Sequence, residues 1–163
     1  MIRVQVVEDV SATTEQVLAL VMDIERYAEV DTKIRPVLWS RRDGNRVEFA
    51  CRPTLAGLRQ PKVVQFLELT PGRRIDIGLL PKPHNRLVHA MARFEASFDC
   101  VPTDGGTRIT RTLQFTFRPA LRWLMEPLLR RRLQRDVENE IRQAKNYLET
   151  GTRRHHQRAD RGV

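Results

Sequence analysis

Long apolar runs are missing from this chain. No stretch of about 18 apolar residues occurs, so a membrane-spanning helix is not expected. The first residues, MIRVQVVEDV, hold no apolar stretch of signal-peptide length and carry acids early, so the expected location is the cytoplasm. Cysteine is scarce. The two present, Cys51 and Cys100, fall inside strand-like runs, and buried free thiols are expected in place of a disulfide framework. No CxxC, HExxH or other metal-ligand spacing appears. Nor is there a phosphate-cradling glycine loop, a Ser-His-Asp arrangement or a pair of spaced carboxylates. No metal, no cofactor and no catalytic set is therefore assigned. Aromatic residues are only 6% of the chain, which leaves no evident platform for stacking nucleic-acid bases.

What is present points to one folded domain. The chain has 163 residues, 40% apolar and 30% charged, enough to bury a real core. The formal charge of +9 is uneven: residues 118–163 hold 12 Lys/Arg against 6 Asp/Glu. From Ala120 to Glu149 apolar residues recur at gaps of three and four, through Leu121, Leu124, Met125, Leu128, Leu129, Leu133, Val137, Ile141, Ala144 and Leu148. That period predicts a long helix with one continuous apolar face. Pro127 lies inside the pattern and predicts a kink or a break. Residues 150–163 are polar and aperiodic and are expected to form a disordered basic tail beyond a single domain over 1–149.

Upstream the pattern is mostly strand. Residues 2–10 alternate and are rich in valine. Thr13 and Gln16 fit a capping box opening a helix to about Asp23, with Val17, Leu18, Val21 and Met22 inward. A short second helical turn carries Tyr27 and Val30 inward. Strands follow at 34–42 and 46–52, joined by Asp43-Gly44-Asn45, a strong hairpin signal. Further strands are read at 62–69, 74–80, 87–101 and 107–118, separated by turns such as Thr70-Pro71-Gly72-Arg73 and Pro102-Thr103-Asp104-Gly105-Gly106. The expected architecture is α+β: a seven-stranded antiparallel sheet, two short helices and a long C-terminal helix over one face.

Three stretches carry a resemblance. They are VEDVSATTEQVLALVMDIERYAEV, the long hairpin RFEASFDCVPTDGGTRITRTLQFTF, and the ending RPALRWLMEPLLRRRLQRDVENEIRQAKNYLE. In element order over residues 2–149 the chain resembles the START-like, or SRPBCC, superfamily, with a helix-grip (Bet v 1-like) fold and an ending similar to its polyketide cyclase/dehydrase members. The resemblance implies a cavity between sheet and C-terminal helix and a small hydrophobic ligand: a lipid, polyketide, quinone or similar molecule. It equally implies an alternative, a cyclase, aromatase or dehydratase using the same hollow. No universal catalytic motif accompanies the fold, so the fold cannot choose between them.

The candidate wall follows from strand faces. In 107–118, Ile109, Leu113, Phe115 and Phe117 share one face; in 87–101, Val88, Ala90, Ala92, Phe94, Ala96 and Phe98 do. The expected ligand-binding set takes Ala92, Phe94, Phe98 and Leu113 from these strands and Phe49 and Phe66 from earlier ones. Leu124 and Leu128 join it from the long helix. Arg111 interrupts the apolar face of its strand. It could meet a ligand oxygen through paired hydrogen bonds, be neutralised by an internal acid such as Glu48, Glu68 or Asp76, or twist out to solvent. His89, grouped with Arg93 and Glu95, reads as solvent-facing, and His84 as lying in a wet loop. Tyr27, Trp39 and Trp123 read as core filling, with the rim of the hollow as the other option.

The cluster Arg130-Arg131-Arg132, with Arg118, Arg122 and Arg135, reads first as a solvated face whose stems cover the apolar stripe. Transient contact with a membrane surface through this basic helix is the second reading. Nucleic acid is the least favoured partner.

Overall fold

The structure, a computed structural model, describes residues 1–55 and 57–159, with 152–159 described as backbone. Strand β1 (Ile2–Val10) leads into helices α1 (Thr14–Met22) and α2 (Ile24–Val30) and a single 3-10 turn over Thr32–Ile34. Six further strands follow: β2 (Val37–Asp43), β3 (Arg46–Cys51), β4 (Val63–Thr70), β5 (Arg74–Leu79), β6 (Ala92–Thr103) and β7 (Gly106–Phe117). A short helix α3 (Arg86–Met91) separates β5 from β6, and α4 (Pro119–Ala159) follows β7. The strands form one antiparallel sheet in the order β1-β7-β6-β5-β4-β3-β2. A minimal hairpin, Thr54–Leu55 with Leu58–Arg59, stands apart from it. This is the α+β helix-grip arrangement that the sequence predicts.

Local chemistry explains the framework. Both halves of the capping box exist: the Gln16 backbone N–H donates to Thr13 Oγ1 at 3.2 Å, and the Thr13 N–H donates to Gln16 Oε1 at 2.9 Å. The long hairpin β6–β7 begins its return at Gly106, and no other residue fits there. A Cβ at Gly106 would lie 2.0 Å from the Val10 carbonyl oxygen. That approach lets Thr107 Oγ1 donate to the Ala12 carbonyl at 2.7 Å, closing the corner between β1 and α1. Helix α4 packs on β1 and β7, at one side of the sheet. Leu129, Leu133, Val137, Ile141 and Ala144 form its buried stripe. Lys145 pairs with Glu8 of β1 at 2.9 Å, and the Met1 ammonium pairs with Glu126.

Several expectations need correction. Residues 87–91, read as the start of a strand, belong to α3 (Arg86–Met91). Their alternation of apolar residues is too short to separate one helical turn from a strand, and two side chains decide it. Asn85, in left-handed conformation, bonds the Val64 N–H and the Val64 and Leu80 carbonyls, at 2.7–2.9 Å. The His89 ring, one turn on, meets the Leu80 carbonyl at 2.9 Å, so His89 has a structural partner. Helix α4 runs through Pro127 unbroken. The carbonyl that loses its partner belongs to Trp123, a residue 75% exposed, where water can replace the missing donor. Trp39 is exposed on the edge strand β2, so of the three aromatics read as core only Tyr27 is buried. The α4 backbone continues beyond residue 149 to Ala159, and most of the expected tail, from 152 onward, lies outside the residues whose side chains are described.

Among the described residues no helix is long and apolar enough to cross a membrane. No group of three or more His, Cys, Asp or Glu among them is placed to hold a metal ion. Cys51 and Cys100 are buried free thiols, and burial pushes both up to about 12.

Candidate functional site

The inner face of the sheet lines a partly open cavity of about 160 Å³. Its apolar floor comes from alternate residues of four neighbouring strands: Val63 and Leu67, Ile77 and Leu79, Phe94, Leu113 and Phe115. Phe49 of β3 closes one side. Val21, Ile24 and Tyr27 of the helical pair cover it, with Pro53, Thr54, Leu55 and Gln60 at the rim and Val88 of α3 opposite. Among the described residues of α4, only Leu133 reaches it. The roof is thus mostly α2 and the loop after β3, because α4 is drawn to the β1–β7 side by its own stripe.

One end of the cavity is polar, and there the chain makes its least expected arrangement. Arg111 and Glu140 are both buried, 5% and 3% exposed. Arg111 Nε donates to Glu140 Oε1 at 3.1 Å, and Lys33 Nζ donates to Glu140 Oε2 at 2.7 Å. The Tyr27 hydroxyl also donates to Glu140 Oε1. Lys33 Nζ lies 3.5 Å from Asp31 Oδ1 and 3.3 Å from the Asp136 carbonyl. Nη1 of Arg111 reaches the Thr112 and Ser97 carbonyls at 3.3 and 3.5 Å. Its guanidinium carbon sits 4.3 Å from the centre of the Phe98 ring, which Tyr27 meets edge-on. Tyr27, Asp31, Lys33 and Arg111 all line the cavity.

The charges are set by these neighbours. Burial opposes ionisation of Glu140, but Arg111, Lys33 and the hydrogen bonds from Lys33 and Tyr27 outweigh it and hold the carboxyl down to about 2. Asp31 goes the other way: burial and then repulsion by Glu140 raise it to about 6, against the pull of Lys33 and Arg111. Burial and Glu140 push the Tyr27 phenol well above its ordinary value. Burial works against the Lys33 and Arg111 cations, yet the acids around them keep both above their ordinary values.

Of the readings left open, Arg111 takes the one in which an internal acid neutralises it, and it also lines the hollow. The acid is none of the three expected. Glu48 bonds Arg41 and Arg46, Glu68 bonds Arg46, and Asp76 bonds Arg74, all on the outer face. Glu140 comes instead from the long helix. The sequence holds a signal for it: Leu133, Val137, Glu140 and Ala144 follow each other at gaps of four, three and four, so a carboxylate occupies a core position of the stripe. Lys33 and Asp31 lie in a short turn that carries no periodicity to mark them.

Of the other candidate wall residues, Phe49, Phe94 and Leu113 lie on the cavity wall. Phe98 is on the inner face but is buried under Arg111 and Tyr27, outside the cavity. Ala92, the first residue of β6 and paired with Phe117, also lies away from it. Phe66 is on the outer face, where period two puts it between the inward Gln65 and Leu67; it stacks on Arg46 at 4.5 Å and covers Gly78, its partner across the strands. Leu124 and Leu128 are about half exposed on the first turns of α4. Leu128 and Leu129 are adjacent and diverge by about 100° around the helix, and Leu129 takes the buried side.

Over residues 1–149 the sequence matches the family described as polyketide cyclase/dehydrase and lipid transport. Among curated proteins no sequence matches. The fold is similar to that of the protein TTHA0849 of Thermus thermophilus, with a TM-score of 0.74 at 18% identity, covering 91% of this chain and 98% of that one. It is similar to the Zhui aromatase/cyclase of Streptomyces sp. R1128, with a TM-score of 0.67 at 17% identity and 93% of each chain covered. A START superfamily protein from Mycobacterium smegmatis gives 0.66 at 16% identity, covering 91% and 97%.

Proposed function

Because this chain belongs to the polyketide cyclase/dehydrase and lipid transport family, we propose that it binds a small hydrophobic ligand in the cavity beneath α2 and the loop after β3. The observation that carries the reading is an apolar hollow of about 160 Å³ whose charged lining groups are gathered at one end. Sites for drug-sized ligands are commonly about 300–1,000 Å³. As it stands, the cavity suits a compact molecule, and a long lipid or an extended polyketide needs the rim side chains of Pro53, Thr54, Leu55 and Gln60 to move aside. Native mass spectrometry of the purified protein, followed by extraction, tests this. A co-purifying apolar species, or a thermal shift with small lipids, quinones or polyphenols, supports it. A species-free protein that responds to none of them removes it.

The alternative is a cyclase, aromatase or dehydratase acting in the same hollow. What favours it is the convergence of Tyr27, Asp31, Lys33 and Arg111 on the cavity, where Arg111 would stabilise a developing oxyanion and Asp31 would exchange a proton. Full turnover of a poly-β-ketone substrate after Arg111→Leu would dismiss it.

Transient membrane contact is the matching delivery step. Trp123, Leu124 and Leu128 are exposed on the same helix as Arg122, Arg130 and Arg131, an apolar and basic combination suited to anionic headgroups. Co-sedimentation with phosphatidylserine vesicles that falls sharply for Trp123→Ser with Leu124→Ser supports it; equal sedimentation of both proteins refutes it.

A further inference from the structure

The polar end of the cavity has two features that the binding reading alone does not use. First, it offers an unoccupied donor. Arg111 spends Nε on Glu140 and Nη1 on two carbonyls, and among the described residues Nη2 has no hydrogen-bond partner. Every fully buried side-chain nitrogen or oxygen among those residues has a partner, so Nη2 is not sealed in; it reaches the space that Arg111 lines. By the same reasoning Asp31 Oδ2, which accepts nothing from the described residues, keeps access, while Oδ1 takes the Lys33 N–H at 3.0 Å.

Second, Asp31 and Lys33 form a partition between two spaces. On one side is the apolar cavity. On the other is a small cleft of about 140 Å³ between the Thr32 turn and α4, lined also by Thr32, Asp136, Asn139 and Gln143. A proton can therefore reach Asp31 from the outer cleft while a ligand fills the cavity.

The charges decide what such a ligand would be. Arg111 and Lys33 supply two positive charges, and Glu140 and Asp31 supply two negative ones. A neutral cluster of this kind does not welcome a further anion into an apolar space, since the uncompensated charge is costly there. Losing the charge of Asp31 leaves one positive charge in excess, with Nη2 of Arg111 pointing at the hollow.

We propose that the cavity takes a compact hydrophobic acid, its carboxylate or equally acidic enol oxygen seated on Nη2 of Arg111, and that each anion enters together with one proton taken up by Asp31. The proposal rests on the binding reading above and adds the chemical class of the ligand and its coupling to pH. Asp31 is the group that titrates. The others that face it are Tyr27 from α2, Lys33 from its own turn, Cys51 from β3, Arg111 from β7, Glu140 from α4 and, across the outer cleft, Asp136 from α4. Cys51 is held at about 12, Glu140 at about 2, and Tyr27, Lys33 and Arg111 all above their ordinary values, so none of these five changes charge between pH 5 and 8.

The test is isothermal titration calorimetry with 1-naphthoate and octanoate, and with their neutral amides, in HEPES and Tris. The two buffers differ in ionisation enthalpy, so their comparison counts protons. We expect the acids to bind at least about tenfold tighter than the amides at pH 6, through charge-assisted hydrogen bonds. Proton uptake at pH 7.5 approaches one per acid bound, and affinity for the acids falls about tenfold per pH unit above 6. In Asp31→Asn the uptake vanishes, the pH dependence flattens, and acid affinity at pH 7.5 rises about thirtyfold. The pair Arg111→Met with Glu140→Gln, which strands no carboxylate, loses the preference for acids over amides. Equal binding of acid and amide, or acid binding without proton uptake, overturns the proposal and leaves the cavity as a site for neutral ligands. If neither acid nor amide binds to the folded protein, the binding reading falls and this proposal with it.

Discussion

Asparagine in place of Asp31 should raise the thermal stability of this protein at pH 8 and change it little at pH 4. The carboxyl of Asp31 ordinarily titrates at 3.8 and in the fold is raised to about 6, first by burial and then by Glu140. Between those values the folded form holds a proton that the unfolded chain has released. Stability contributed by this group is therefore complete below 3.8 and is lost as pH rises through about 6. At 1.36 kcal/mol per pH unit, the gap amounts to about 3 kcal/mol. Asparagine matches the neutral carboxyl in shape and still offers an oxygen to the Lys33 N–H at 3.0 Å. In a domain of this size each kcal/mol moves the melting temperature by about 2–4 °C, so the variant should melt about 6–12 °C above the native protein at pH 8. Differential scanning calorimetry at pH 4 and pH 8 measures both differences. A variant that melts lower than the native protein at pH 8, or an offset that is the same at both pH values, refutes the reasoning. Asp31 would then be a stabilising partner of Lys33 and not an acid held against its preference.

Glu140 works in the opposite sense: held at about 2, it adds stability above its ordinary range, and that stability is lost as pH falls toward 2, which acid titration of the fold will follow. Glu140→Leu strands Arg111 and Lys33 and should cost about 3–5 kcal/mol in urea unfolding, whereas Glu140→Leu with Arg111→Met recovers most of it. Phe49→Ala should cost about 3–5 kcal/mol by the same measurement while enlarging the cavity, so larger apolar probes gain affinity as the midpoint falls. Gly106→Ala should lower the stability measured in urea by about 2 kcal/mol, because its Cβ meets the Val10 carbonyl.

The framework was legible wherever a local rule was strict. The Thr13–Gln16 box, the Asp43-Gly44 turn and the period of two in β7 each have one structural solution, and their sum orders the strands. Period two also revealed Arg111 on an apolar face. The same rule places Glu48, Glu68 and Asp76 outward, since each stands between inward neighbours such as Val47 and Phe49, Leu67 and Leu69, or Ile75 and Ile77. The true partner required comparing two distant elements, a charged residue in the helical stripe and an opposite one in a strand. The Lys33 and Asp31 contributions depend on how a short turn is carried by α2, which tertiary packing alone determines. Phe66, Leu124 and Leu128 show the limit of hydrophobicity as a guide: an apolar side chain is no proof of an inward position.

Strand β1 leaves the ribosome before the other elements described, yet it pairs with β7, Val4 opposite Leu113 and Val10 opposite Thr107. Its buried side is covered by α4, later still in the chain. Until more than a hundred further residues have been made, the nascent segment Ile2–Val10 has its valines and its backbone hydrogen-bonding groups without their native neighbours. The meander from β2 to β7 pairs by adjacent hairpins and needs nothing from β1, whereas the first-made strand has its native neighbours only once β7 and α4 exist.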